Sequence, residues 1–134
     1  MEDDGRREAR ACTEGIEVIV RAAFSAEHSR TERSLWFYIY EITIRNTGDA
    51  PAQLVDRHWV ITDAQGHVEE VRGPGVVGET PLLAPGQSFR YASGCPLRTP
   101  FGTMRGTYGM ERPDGSRFDA VVPEFMLAQP HALN

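Results

Sequence analysis

Leu35-Trp36-Phe37-Tyr38-Ile39-Tyr40-Glu41-Ile42-Thr43-Ile44-Arg45 is dense in aromatic and β-branched side chains, the types that pack best on a pleated surface. Successive side chains of a strand point to opposite faces, so Trp36, Tyr38, Tyr40, Ile42 and Ile44 share one face. The other face starts apolar with Phe37 and Ile39 and ends polar with Glu41, Thr43 and Arg45. Such a strand is covered at one end and half-solvated at the other. Asn46-Thr47-Gly48-Asp49-Ala50-Pro51 supplies the turn residues that stop it.

The same period continues on both sides. Ile16, Val18, Val20, Ala22 and Phe24 alternate along an earlier strand, and residues 25–34 read as a loop. Residues 52–62 form the next strand, with Val55, Trp59 and Ile61 expected on its buried face. Residues 67–72 form a short strand, 73–81 a long loop, and Leu82-Leu83-Ala84 a brief extended piece. In residues 88–92, Phe89 and Tyr91 alternate with Arg90. Residues 104–112 place Met104, Gly106, Tyr108 and Met110 on one face. Pro113-Asp114-Gly115-Ser116 is a hairpin signal, followed by a strand over 117–123 that Phe125 to Leu127 extends. Seven or eight short strands without a helical period predict an all-β, antiparallel β-sandwich, with a small closed barrel as the alternative.

The chain has 134 residues, with 40% hydrophobic and 25% charged side chains, which fits one globular domain with its own core. Residues 1–14 are charged and offer little to bury, so they read as a flexible tail ahead of a domain over 15–134. The net charge is −5, and all 14 basic residues are arginine. That balance argues against a general nucleic-acid binder, which needs a basic face. Without lysine there is no Schiff-base chemistry and no Walker-type phosphate lysine. No apolar run has the roughly 20 residues of a membrane helix, and no apolar segment follows the charged N-terminus as in a secretory signal. A cytoplasmic protein with free thiols at Cys12 and Cys95 is the expectation, because neither belongs to a C-x-x-C pair.

Several ordered segments together resemble one family. They are Tyr40 to Leu54 (YEITIRNTGDAPAQL), Arg57 to Asp63 (RHWVITD), Gly73 to Leu82 (GPGVVGETPL), Leu83-Ala84-Pro85-Gly86, and Thr99 to Tyr108 (TPFGTMRGTY). The chain resembles the bacterial ApaG family over roughly residues 16–130. The resemblance implies an immunoglobulin-like sandwich of fibronectin type III character. It also implies an association with cobalt and magnesium efflux or homeostasis, with no settled activity. Related domains look like protein-interaction modules, and a sandwich of this size without a membrane segment is no transporter by itself.

Candidate sites are few. Gly73, Gly75 and Gly78 have the G-x-G-x-x-G spacing of a dinucleotide loop, but Pro74 lies inside it and Pro81 follows too soon for a crossover helix. A nest of loop N–H groups could still hold phosphate or pyrophosphate, with Arg72 and then Arg90 or Arg98 assisting. Otherwise the glycines serve a tight strand-to-strand loop. His28, His58, His67 and His131 lack the spacing of a local metal motif, although Asp56 and His58 share a strand face. No G-x-S-x-G elbow is present, Glu69 and Glu70 point to opposite faces, and Cys95 beside Pro96 reads as part of a turn. The aromatic row from Trp36 through Trp59, Phe89 and Tyr108 reads as core.

The sequence therefore predicts a non-enzymatic binding domain with no cofactor. It would engage a protein partner, or a second copy of itself, through a sheet edge or the 73–78 loop. Two alternatives remain: anion or nucleotide binding at Arg72, Gly73, Gly75 and Gly78, and a hydrolase acting on nucleotides.

Overall fold

The alternation along residues 36–46 is borne out. Tyr38, Tyr40, Ile42 and Ile44 are buried, while Ile39 on the opposite face is 40% exposed. A computed structural model describes residues 7–129. Residues 1–6 and 130–134, including His131, lie outside the described residues. The strands are β1 (Arg7–Thr13), β2 (Ile16–Phe24), β3 (Trp36–Asn46), β4 (Ala52–Asp63), β5 (Val68–Pro74), the two-residue β6 (Leu82–Leu83), β7 (Ser88–Leu97), β8 (Gly102–Glu111) and β9 (Arg117–Leu127). A 3-10 turn at Thr31–Arg33 sits in the loop between β2 and β3.

The strands form two antiparallel sheets. One runs β1-β2-β3-β7, and the other β5-β4-β8-β9, with β6 paired to β4. Setting aside β1 and the short β6, three strands face four, the partition of an immunoglobulin-like sandwich of the fibronectin type III kind. Apolar side chains from both inner faces meet between the sheets. Ile16, Val18, Val20, Ile42 and Ile44 come from one, and Leu54, Met104, Tyr108, Met110 and Leu127 from the other. Their alternation with exposed neighbours is the physical content of a sandwich. Among the described residues, no helix is long and apolar enough to cross a membrane.

Three local readings need correction. The charged tail does not extend to residue 14, because Arg7–Thr13 pair with Ile16–Ala22 as a hairpin strand. Glu8 and Arg10 lie on its outer face, where Glu8 accepts from Arg21 at 2.8 Å, so the strand forms without burying them. On β4 the expected face was Val55, Trp59 and Ile61, yet Leu54 is buried and Val55 is not. The register shifts between Leu54 and Asp56, so Val55 is the extra residue of a bulge and the inward phase changes there. Strand β9 does continue through Phe125 to Leu127, as the sequence reading expected. A register shift puts one extra residue between Val122 and Phe125, and both of those are buried. Pro123 falls in that irregularity, where a missing N–H is tolerated.

Strand β7 runs five residues past the expected Ala92, through the turn-like Ser93-Gly94-Cys95-Pro96. Gly94 is not a turn glycine. The Phe37 ring lies across it, and a Cβ there would come within 2.3 Å of Phe37 Cζ. Asn46 N–H donates to Gln87 O at 2.9 Å, which sets the phase of the β3–β7 ladder. With alternating bonding along an antiparallel pair, Phe89, Tyr91, Ser93 and Cys95 bond to β3. The backbone of Arg90, Ala92, Gly94 and Pro96 then faces outward, and Pro96 sits where no donor is needed.

Cys95 is buried and Cys12 is exposed. Burial, with the Glu69 carboxylate adding to it, pushes the Cys95 thiol up to about 12. The thiolate is the reactive form, so Cys95 is shielded twice, by access and by protonation. Titration of the native protein with a disulfide reagent at pH 8 should consume one thiol quickly, and the second of the two only after unfolding. Two fast thiols would contradict the closed packing around β7.

Candidate functional site

The 73–78 loop is built around its glycines and Arg57. Gly73 pairs with Arg57 across β4 and β5. The Arg57 guanidinium lies over it, 3.1 Å from where a Cβ would stand. From there Arg57 Nη1 donates to Pro74 O at 2.8 Å and Gly75 O at 2.9 Å, tying the loop to β4. Gly75 has φ +58°, and a Cβ would stand 2.3 Å from Glu79 O. Val76 and Glu79 exchange backbone bonds of 2.9 and 2.8 Å around Val77 and Gly78, whose φ values are both positive. That is a tight two-residue turn of the kind that joins hairpin strands.

Each glycine therefore has a geometric reason, and three loop donors already have acceptors. Gly75 N–H goes to Val55 O at 2.9 Å, and the Val76 and Glu79 N–H groups go to each other's carbonyls. Arg72 lies on β5 with an exposed side chain, 3.8 Å from the Glu70 carboxylate. The structure brings Arg72 and Gly73 to one groove, while Gly75 and Gly78 belong to the turn beyond it. Arg57, the residue that organises the loop, carried no local sequence signal, because its role depends on cross-strand pairing.

That groove, about 450 Å³, crosses the outer face of the second sheet and includes Asp56, His58, Arg72, Thr107, Arg117 and Asp119. Asp56 and His58 share it, as their spacing predicted, and each has a partner. Arg117 Nη2 donates to Asp56 Oδ2 at 2.7 Å, and His58 Nε2 is 2.7 Å from Glu70 Oε1. The Asp56–Arg117 pair lies directly over Gly109, where a Cβ would meet Asp56 Oδ1. Within the groove Asp56 is therefore taken up by Arg117 and His58 by Glu70, while Arg57 is spent on the loop carbonyls. Among the described residues, no group of three His, Cys, Asp or Glu side chains could hold a metal ion.

The sheet margins differ more sharply. The β1 and β9 margins are joined, with Val121 N–H donating to Thr13 Oγ1 at 3.1 Å. The β5 margin carries Glu69, Glu70, Arg72 and Pro74, residue types that discourage pairing. The β7 margin carries fewer of them, a single charge at Arg90 and Pro96 near its end. Among the described residues nothing pairs with its outer side, and Ala92 and Gly94 leave its exposed face low. Next to it lies a hollow of about 230 Å³ with Ala23, Phe24, Ile39, Ala92, Arg21 and Glu41 in its walls. The sequence reading missed this edge because its glycine and proline mimic a turn.

The order of strands, the loop and its glycines can now be set beside known proteins. The family model described as the ApaG domain matches residues 26–112. This chain belongs to the ApaG family. A protein named ApaG from Azoarcus sp. (strain BH72) is 58% identical over 119 residues, covering 89% of this chain and 94% of its own. Another from Anaeromyxobacter dehalogenans (strain 2CP-C) is 54% identical over 124 residues, covering 92% and 98%. Among solved structures, the putative ApaA protein of Bordetella pertussis superposes with a TM-score of 0.84 at 49% identity, covering 86% of this chain and 94% of that one. The C-terminal domain of wzt, at 12% identity and a TM-score of 0.53, shares the fold alone. ApaG membership thus agrees with the resemblance and with the fibronectin type III arrangement.

Proposed function

We propose that this ApaG-family chain is a non-enzymatic binding module that engages a protein partner along the free edge of β7. The observation that supports this reading is the β7 margin, unpaired among the described residues, with outward-facing backbone groups at Arg90, Ala92 and Gly94. An extended partner segment would gain main-chain hydrogen bonds there, and side-chain pockets on alternate positions would supply selectivity. Any part in cobalt and magnesium homeostasis, which the resemblance implies, would run through that partner. The pairing of Asp56 with Arg117 and of His58 with Glu70, and the high thiol pKa of Cys95, offer no activated nucleophile, which is why we read no catalysis here.

Ala92→Pro tests the reading cleanly, because it removes an outward N–H while leaving the β3 ladder intact. Affinity capture with the native protein should recover a partner that the Ala92→Pro protein loses, with both proteins folded by circular dichroism. Equal recovery by both would place the contact elsewhere.

A further inference from the structure

The side chains bordering the β7 edge restrict what can lie on it. Arg90, Ala92 and Gly94 project from the outer face. Arg90 is exposed, and its nearest bond is a long one of 3.4 Å to Thr43 Oγ1, so its charge is available to a neighbour across the edge. Two residues on, Ala92 is too short to cover the hollow beside it, which Ala23, Phe24 and Ile39 line together with Arg21 and Glu41, the residue across from Ala92 on β3. A strand laid beside β7 would set alternate side chains opposite Arg90 and Ala92, whichever way it ran. The one opposite Arg90 gains from negative charge. The one opposite Ala92 can lean over the methyl and reach the Ala23, Phe24 and Ile39 side of the hollow if it is large.

We infer that the occupant of β7 is an extended segment of another protein carrying an acidic side chain opposite Arg90 and, two positions away, a bulky apolar side chain opposite Ala92. This rests on the binding-module reading and adds the chemistry of the partner segment. The charge at Arg90 and the vacancy beside Ala92 are independent features, and both border the β7 margin, which nothing pairs among the described residues.

The test is selection of a displayed library of random ten-residue peptides on the native protein, with counter-selection on Ala92→Pro. Enriched peptides should carry Asp or Glu two positions from Leu, Ile, Met or Phe. Arg90→Glu should cut their binding about tenfold, by replacing an attraction with a repulsion, and should shift a fresh selection toward Lys or Arg. Ala92→Leu, filling the hollow, should remove the preference for a bulky residue while keeping the acidic one. Absence of enrichment over the counter-selection, or a charge preference unmoved by Arg90→Glu, would overturn the inference. So would a concentration-dependent dimer, seen by sedimentation and abolished by Ala92→Pro, since the occupant would then be a second copy of this chain. If affinity capture depends on Ala92 while the peptides ignore Arg90, the partner chemistry is wrong and the binding-module reading survives. If neither depends on the edge, both fall.

Discussion

Replacing Trp59 with alanine should cost about 3–5 kcal/mol and bring the domain close to unfolding, the range for removing a large buried aromatic. Trp59 is 4% exposed and stands where the two sheets meet. Its indole lies edge-on to Tyr40 of the facing sheet, 5.5 Å between ring centroids, with Tyr108 at 6.0 Å and Phe125 at 6.1 Å. Gly106, its register partner on β8, has no side chain because the indole and His58 O occupy the space. Truncation would leave a cavity ringed by aromatics whose positions are fixed by their own strands, so collapse recovers little. Urea denaturation monitored by tyrosine fluorescence or circular dichroism measures the loss. Trp59→Phe should fall between the native protein and Trp59→Ala. Ile39→Ala on the outer face, 40% exposed, should cost under about 1 kcal/mol. A Trp59→Ala loss as small as that of Ile39→Ala would mean that the inner face of β4 is misassigned.

What the sequence revealed and what it hid divide along a physical line. Strands β2 and β3 are legible because an unbroken period of two places every inward residue, and pairing only confirms it. Strand β4 is legible around Trp59 and wrong at Val55, since one inserted residue reverses the phase and nothing local announces the insertion. Gly94 and Pro96 carry the signature of a turn, but their reasons lie elsewhere: a ring from β3 over one, and a free edge beside the other. Strand β1 was hidden because a charged sequence can form an edge strand when its partner supplies the apolar face. The candidate site follows the same rule. The turn chemistry of residues 73–78 could be read locally, whereas Arg57 closing over Gly73 and the bare margin of β7 exist only once strands are paired.

The glycine loop offers the second large effect, and the contrast between two of its glycines isolates the cause. Gly75 and Gly78 both hold positive φ, +58° and +80°, which costs a non-glycine residue roughly 1–2 kcal/mol. Space separates them. Nothing lies within 4 Å of a Cβ at Gly78, whereas at Gly75 it would press on Glu79 O at 2.3 Å. That carbonyl accepts from Val76 N–H, so relieving the contact opens the turn and loosens the carbonyls that Arg57 holds. Gly78→Ala should therefore cost about 1 kcal/mol, and Gly78→Asn less, because asparagine tolerates this conformation. Gly75→Ala should cost about 2–4 kcal/mol, adding a broken turn to the backbone penalty. Thermal melts and urea titrations of the three variants measure these losses side by side. The ordering also decides how anion binding must be tested. Loss of pyrophosphate binding in Gly75→Ala would report only a broken loop, so calorimetry needs Arg72→Glu, whose exposed side chain supports no part of the turn. Heat of binding that Arg72→Glu abolishes would place an anion site in the groove at Arg72 and Gly73. Equal costs at Gly75 and Gly78 would mean that the Glu79 carbonyl moves aside freely, and the glycine at 75 would then need a reason other than packing.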